Sequence, residues 1–235
     1  MLKRDEHQAL EGIVGKENIS EQPALLDSYS WQPSFNTATD NWSPHRPAAV
    51  VLPKTVEEVQ EIVKLCNTHK IKYKAIATGW GMHGACHHKR QIQIDLCRMN
   101  RILDIDEKNR IAVVEPFAVG AQVQAEAMKL GLTLSISGAS SITSPLASLT
   151  STWGVTWHGL SNGHNARNML AIDWVLPNGE ILHLGSLESI GNWVHPDGPG
   201  PSLRGLVRGV IGSFGGNGVF TKGALKLYHY NGPVQ

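Results

Sequence analysis

Three glycines fall within six residues of the stretch ATGWGMHGACHH, residues 77–88: Gly79, Gly81 and Gly84. Thr78, Trp80, Met82, His83, Cys86, His87 and His88 surround them. Such a loop suits a tight turn, a metal site built from His83, Cys86, His87 and His88, or a backbone cradle for a phosphate. Amides approach a phosphate only where side chains do not intrude, and they curl around it only where residues reach positive φ. Glycines permit both, and Thr78 adds a hydroxyl donor. The loop is neither GxxxxGKS/T nor GxGxxG, which disfavours an ATP P-loop and a dinucleotide fingerprint. His83 and His87 are spaced i, i+4, but the helix they would need follows three glycines and lacks strong helix formers. No general-base Glu stands between them and no second Cys pair accompanies them.

Other chemistries find less support. No GxSxG elbow occurs, and GSFGG (212–216) lacks a strand–turn–helix setting. The acids lie mostly on predicted helix faces, so no carboxylate pair for glycoside hydrolysis stands out. Residues 133–168 form a long Ser, Thr, Gly, Asn, His and Trp stretch, which at that length is either functional or structured. Trp80, Trp153 and Trp157 sit in Gly/Ser/Thr-rich loops, suited to a core or to lining a flat ligand.

Composition narrows the classes. The 235 residues are 41% hydrophobic and 17% charged, an ordinary globular balance. A net charge of +1 gives nucleic acid no electrostatic footprint. The three cysteines form no CxxC pair, which points to a reducing compartment. The first residues carry no apolar signal core, and no apolar run approaches the ~18–20 residues that span a bilayer. These features predict a soluble cytoplasmic protein.

The elements that must position the loop follow a regular rhythm. Residues 1–45 read as one or two short helices and an irregular segment. AAVVLP (48–53) is a strand. KTVEEVQEIVKLCNTH is a helix with Thr55 as N-cap, Glu58 completing a capping box, and Val56, Val59, Ile62, Val63 and Cys66 as its apolar stripe. KYKAIA (72–77) is the next strand, making a βαβ unit with a parallel pair. IQIDL (92–96) and IAVVEP (111–116) are further strands with DEKN as turn residues between them. GAQVQAEAMKLGL (120–132) is a helix stopped by Gly131. AIDWVLPNGEILHLG (171–185) is a hairpin bending at Pro-Asn-Gly. A short helix near PSLRGLVRG and a last strand GALKLYHY (223–230) complete the chain.

The run RPAAVVLPKTVEEVQEIVKLCNTHKIKYKAIATGWGMHG resembles the opening of the FAD-binding domain of the vanillyl-alcohol oxidase/p-cresol methylhydroxylase (PCMH-type) superfamily. The likeness continues through IQIDLCRMNRILDID, AVVEPFAVGAQVQAEAMKLGLTL, AIDWVLPNGEIL and LRGLVRGVIGSFGGNGVFTKGALKLY, in the right order, over roughly residues 46–230. It implies an α+β fold of two lobes, a small βαβ lobe (about 46–100) and a larger mixed sheet with flanking helices (about 101–230), with FAD in the cleft between them. Residues 1–45 would be a separate N-terminal segment.

Carried over by position, Thr78, Gly79, Trp80, Gly81, Met82, His83 and Gly84 would be the loop that holds the FAD diphosphate. Ser140, Ser141, Ala147, Ser148, Ser151 and Thr152 would form a second flavin-contacting segment, and Gly218 and Val219 would meet the adenine side. His158 resembles a His-Gly of the sugar-lactone oxidases. Many relatives carry Gly-Gly where Ala147-Ser148 stands here. Trp80 occupies the position of the His that binds flavin covalently in some relatives, which implies non-covalent FAD. The resemblance implies an oxidoreductase acting on an alcohol, hydroxy acid, phenol or lactone. The cap domain that covers the flavin in relatives is absent from these residues, so the chain would be either a fragment or half of a split enzyme, and the economical inference is a partner subunit that supplies the cap. A subunit that only relays electrons for a metalloenzyme, and a nucleotide-binding module without flavin, are the alternatives.

Overall fold

The computed structural model describes residues 1–30, 45–80, 85–86, 88–135, 140–150, 156–163, 165–184, 216–230 and 232. The helix expected near residues 201–209 lies outside them. The chain forms two compact units.

The first unit comprises described residues within Met1–Met99, Val175–Leu182 and Phe214–Val219. Its elements are α1 (Arg4–Val14), β1 (Ile19–Ser20), α2 (Pro23–Ser28), β2 (Val50–Val51), α3 (Val56–His69), β3 (Lys72–Ile76) and β4 (Gln91–Asp95). Helix α3 forms where the apolar stripe predicts it. Thr55 Oγ1 accepts the Glu58 N–H at 3.2 Å, while the Glu58 carboxylate reaches one residue further back, to the Lys54 N–H at 2.6 Å. Val59, Ile62, Val63 and Cys66 are wholly buried and pack with Leu10 and Val14 of α1.

The sheet order is β1-β2-β4-β3, with β2, β4 and β3 parallel. The strands flanking α3 are therefore parallel as expected, but β4 lies between them. The central place suits β4, whose five residues are all buried. Ile92 and Ile94 join the core with α3, while Gln91, Gln93 and Asp95 alternate onto the opposite face. The Gln93 amide donates to Lys74 O at 2.9 Å, which keeps this polar face satisfied.

The second unit contains β5 (Ile102–Asp106), β6 (Ile111–Val114), α4 (Gly120–Met128), β7 (Leu132–Leu134), α5 (Pro145–Thr150) and α6 (Gly159–Asn162). It also holds most of β8 (Met169–Val175), part of β9 (Ile181–Leu184) and most of β10 (Val219–His229). Strands run β5-β6-β10-β8-β9, with β7 also on β10. Six of these elements depart from the sequence reading. Strand β5 forms a hairpin with β6, although its apolar residues are half exposed and carry little of a buried pattern. Helix α4 stops at Met128, and Leu132, read as its tail, starts β7. The stretch 133–168 holds the short helices α5 and α6. Strand β10 begins four residues earlier than expected. Among the described residues no helix is long and apolar enough to cross a membrane.

Candidate functional site

In the first unit the site begins where the parallel strands end. Ile76 closes β3 opposite Asp95 of β4, and the Leu96 N–H donates to Ile76 O at 3.0 Å. The chain then bends through Ala77, Thr78 and Gly79. Gly79 has φ +74°, and a Cβ there would meet only Ile76 Cδ1 at 3.7 Å. Backbone conformation rather than crowding therefore calls for glycine. Ligands of parallel sheets collect beyond the carboxyl ends of strands, where this turn lies. Trp80 is 49% exposed, so it is no core residue. Gly81, Met82, His83 and Gly84, and His87 of the metal alternative, lie outside the described residues. Cys86 is buried with Sγ 3.5 Å from Gln93 Oε1, and burial pushes its thiol up to about 12, which makes it a poor metal ligand. His88 is exposed.

Asp95 sits under this edge, 8% exposed. Its Oδ1 accepts the Cys97 N–H at 2.9 Å and its Oδ2 the Tyr29 hydroxyl at 2.6 Å. Burial raises the Asp95 carboxyl above its ordinary range, against the opposing pull of these two donors. Gly218, also in this unit, is buried at φ +75°, and Val219 packs into the α3 core.

In the second unit, Ser140 and Ser141 lie in the turn that closes the N-terminus of α4. Ser141 O takes the Ala121 N–H at 2.7 Å and Thr143 O the Gly120 N–H at 3.0 Å, so protein carbonyls already occupy these amides. Ser144 starts α5, its Oγ accepting the Ala147 N–H at 3.1 Å. Ala147 is half-buried and Ser148 buried. A Cβ on Gly223 of β10 would fall 2.3 Å from Leu146 Cδ1, so α5 lies directly on the sheet because residue 223 has no side chain. Ser151 and Thr152 lie outside the described residues. The His158 ring is exposed, while its carbonyl accepts the Ser161 and Asn162 N–H groups at 3.1 and 2.7 Å to start α6. Trp157 beside it is 75% exposed.

Helix α5 packs against the 3₁₀ turn Asn165–Asn168. Asn168 is 1% exposed, and its Oδ1 accepts the Tyr228 hydroxyl at 2.5 Å. Among the described residues its Nδ2 has no partner, nor has the buried Oγ of Ser135. The sequence reading named neither residue. The available signal was Asn168 at the boundary between the polar stretch and the apolar strand that follows.

Residues 47–185 match the model of a family described as FAD binding domain. The chain belongs to this family. It is 31% identical over 209 residues to the 4-cresol dehydrogenase [hydroxylating] flavoprotein subunit of Pseudomonas putida, covering 85% of this chain and 38% of that protein. Glycolate oxidase subunit GlcD of Bacillus subtilis is 25% identical over 230 residues, 97% of this chain and 45% of that one. Among solved structures, p-cresol methylhydroxylase with substrate bound superposes with a TM-score of 0.75 at 27% identity, over 97% of this chain and 44% of the other. Alkyldihydroxyacetonephosphate synthase, at 19% identity and a TM-score of 0.79, shares the fold. The chain thus spans about two-fifths of the length of these relatives. The PCMH-type α+β fold and FAD as cofactor stand on these matches.

The residues present fit FAD. A positive-φ glycine follows a parallel strand in the first unit, and in the second unit the buried Asn168 Nδ2 and Ser135 Oγ have no partner among the described residues. Among the described residues no three His, Cys, Asp or Glu side chains gather as metal ligands.

Proposed function

We propose that this FAD binding domain is the flavin-holding part of an oxidoreductase that oxidises an alcohol, hydroxy acid, phenol or lactone. Bound FAD supplies the two-electron acceptor, at N5 of its ring. The turn at Thr78 and Gly79 holds the diphosphate through backbone amides, with Gly81, Met82, His83 and Gly84 continuing it by sequence. Ala147 and Ser148 let the ring approach α5 closely, with Ser140, Ser141, Ser151 and Thr152 in the same segment, and Gly218 and Val219 offer backbone groups to the adenosine. Trp80, at the position of the linking His in some relatives, leaves the flavin non-covalent.

The observation that carries this reading is the family match running from β2 to β9 through the glycine turn. Relatives named for cresol, glycolate and D-2-hydroxyglutarate support the substrate range. Groups that enclose the substrate are proposed to come from a partner chain, in keeping with the two relatives named as subunits. The test is anaerobic reduction of the FAD-loaded protein by 4-cresol, glycolate, D-lactate and D-2-hydroxyglutarate, alone and with chains that co-purify with it. Loss of the flavin band with one substrate class supports the reading. A flavin that no substrate reduces in any such mixture, while dithionite does, would refute it.

A further inference from the structure

Asn168 is built to hold one side of its amide still and leave the other free. At 2.5 Å the contact with Tyr228 suits O–H···O and is too short for N–H···O, so Oδ1 faces the phenol and Nδ2 faces away. Nδ2 is buried without an acceptor. Buried amide N–H groups in folded proteins are almost always satisfied, and this one finds no acceptor among the described residues. Ser135 Oγ is a second orphan, on a residue that is 4% exposed. It follows β7, where Thr133 stands opposite Tyr228 of β10. Ser135 is the first residue past β7, two on from Thr133.

We propose that Asn168 Nδ2, with Ser135 Oγ, is the donor site for a neutral carbonyl on the pyrimidine edge of the flavin ring. Both donors are uncharged, and Lys226 near Tyr228 is exposed, its Nζ 5.0 Å from the ring centre of Tyr228. A buried phosphate would need charged partners, whereas an amide and a hydroxyl match a carbonyl. Tyr228 acts as a positioning residue that fixes the amide. The inference rests on the reading that the protein binds FAD.

The test uses the full chain freed of flavin, with Asn168→Asp, Asn168→Ala and Ser135→Ala variants. Asn168→Asp keeps an oxygen for Tyr228 and puts a carboxyl oxygen where the free donor stood, and Asn168→Ala removes both. FAD affinity is read by fluorescence quenching, the ring environment by the visible spectrum of bound flavin, and folding by the melting temperature without FAD. The expected result is about tenfold weaker FAD binding by both Asn168 variants, with shifted visible bands in the flavin that still binds. Both Asn168 variants melt below the wild type, Asn168→Asp because it buries a carboxyl without a cation, whereas Ser135→Ala, which removes only an unpartnered hydroxyl, melts close to it. Unchanged affinity and spectrum with a lowered melting temperature would overturn the site in favour of a structural water on Nδ2. Weaker binding with a wild-type spectrum would also overturn it, since the ring would not be what Asn168 meets. If the wild type itself binds no FAD, the cofactor reading fails and the inference with it. If the wild type binds FAD and the variants match it, only the inference fails.

Discussion

The Tyr29 hydroxyl donates a 2.6 Å hydrogen bond to Asp95 Oδ2 across 66 residues of sequence. Asp95 ends β4 opposite Ile76, the last residue of β3 before the glycine turn. The bond therefore ties the N-terminal segment to the edge from which the proposed diphosphate loop departs. Burial and the neighbouring carboxylate also raise the Tyr29 phenol well above its ordinary value. Tyr29→Phe leaves a buried carboxyl short of one donor, and urea unfolding at pH 7 is expected to show a loss of about 1–3 kcal/mol.

Asp95 also predicts a pH dependence. Its folded carboxyl is held above the ordinary range, so the folded chain keeps a proton in a window where the unfolded chain has lost it. Stability then falls as pH rises from the ordinary carboxylate value through the raised one. Asp95→Asn removes that slope. Stability measured between pH 4 and 7 should show the variant gaining on the wild type as pH rises. A difference that stays constant across this range would contradict the assignment.

Gly79 tests the turn. With φ +74° and open space around the missing Cβ, Gly79→Ala strains the backbone by about 1–2 kcal/mol without a clash. Gly79→Asn, which tolerates the left-handed region better, should recover much of this. Melting temperatures of the three proteins check the order wild type, Asn, Ala. FAD affinity is expected to follow the same order.

Asp173 of β8 is buried 2.6 Å from Lys222 Nζ on β10, and Oδ1 lies 2.7 Å from His183 Nδ1 on β9. One carboxylate thus joins three strands of the larger sheet. Lys222→Met should cost about 3 kcal/mol, because it removes a close cation from a buried charge. The double variant Asp173→Asn/Lys222→Met should cost less than the sum of the singles, read by denaturant unfolding.

The thiols should be slow. Burial, then the nearby Asp95 carboxylate, push the Cys97 thiol up to about 11, and burial alone takes Cys66 to about 12. At pH 8 Cys97 holds on the order of a hundredfold less thiolate than an ordinary cysteine. Ellman titration of the native protein should therefore give no fast phase. Asp95→Asn should speed the Cys97 reaction by removing the adjacent charge.

How much of this was legible in the sequence depended on burial. Helix α3 announced itself because its buried residues recur at helical spacing behind Thr55. Strand β10 showed in its apolar core, yet its first residues, Val219 to Lys222, were missed because two of them are polar partners of Asp173. Strand β5 and helices α5 and α6 are short and owe their form to neighbours, such as Leu146 settling over Gly223, which no local pattern encodes. Thr78 and Gly79 could be found from glycine spacing at the end of a strand. Asn168 offered only its place at the end of the polar stretch, since its meaning lies in a bond to Tyr228 sixty residues away.

The most direct test of the account is equilibrium titration of the purified, flavin-free chain with FAD, followed by acid precipitation and a visible spectrum of the supernatant. Saturable binding with the flavin band released into the supernatant is the predicted result. A chain that neither carries nor takes up FAD would contradict the central claim, and a band that stays in the pellet would contradict non-covalent attachment.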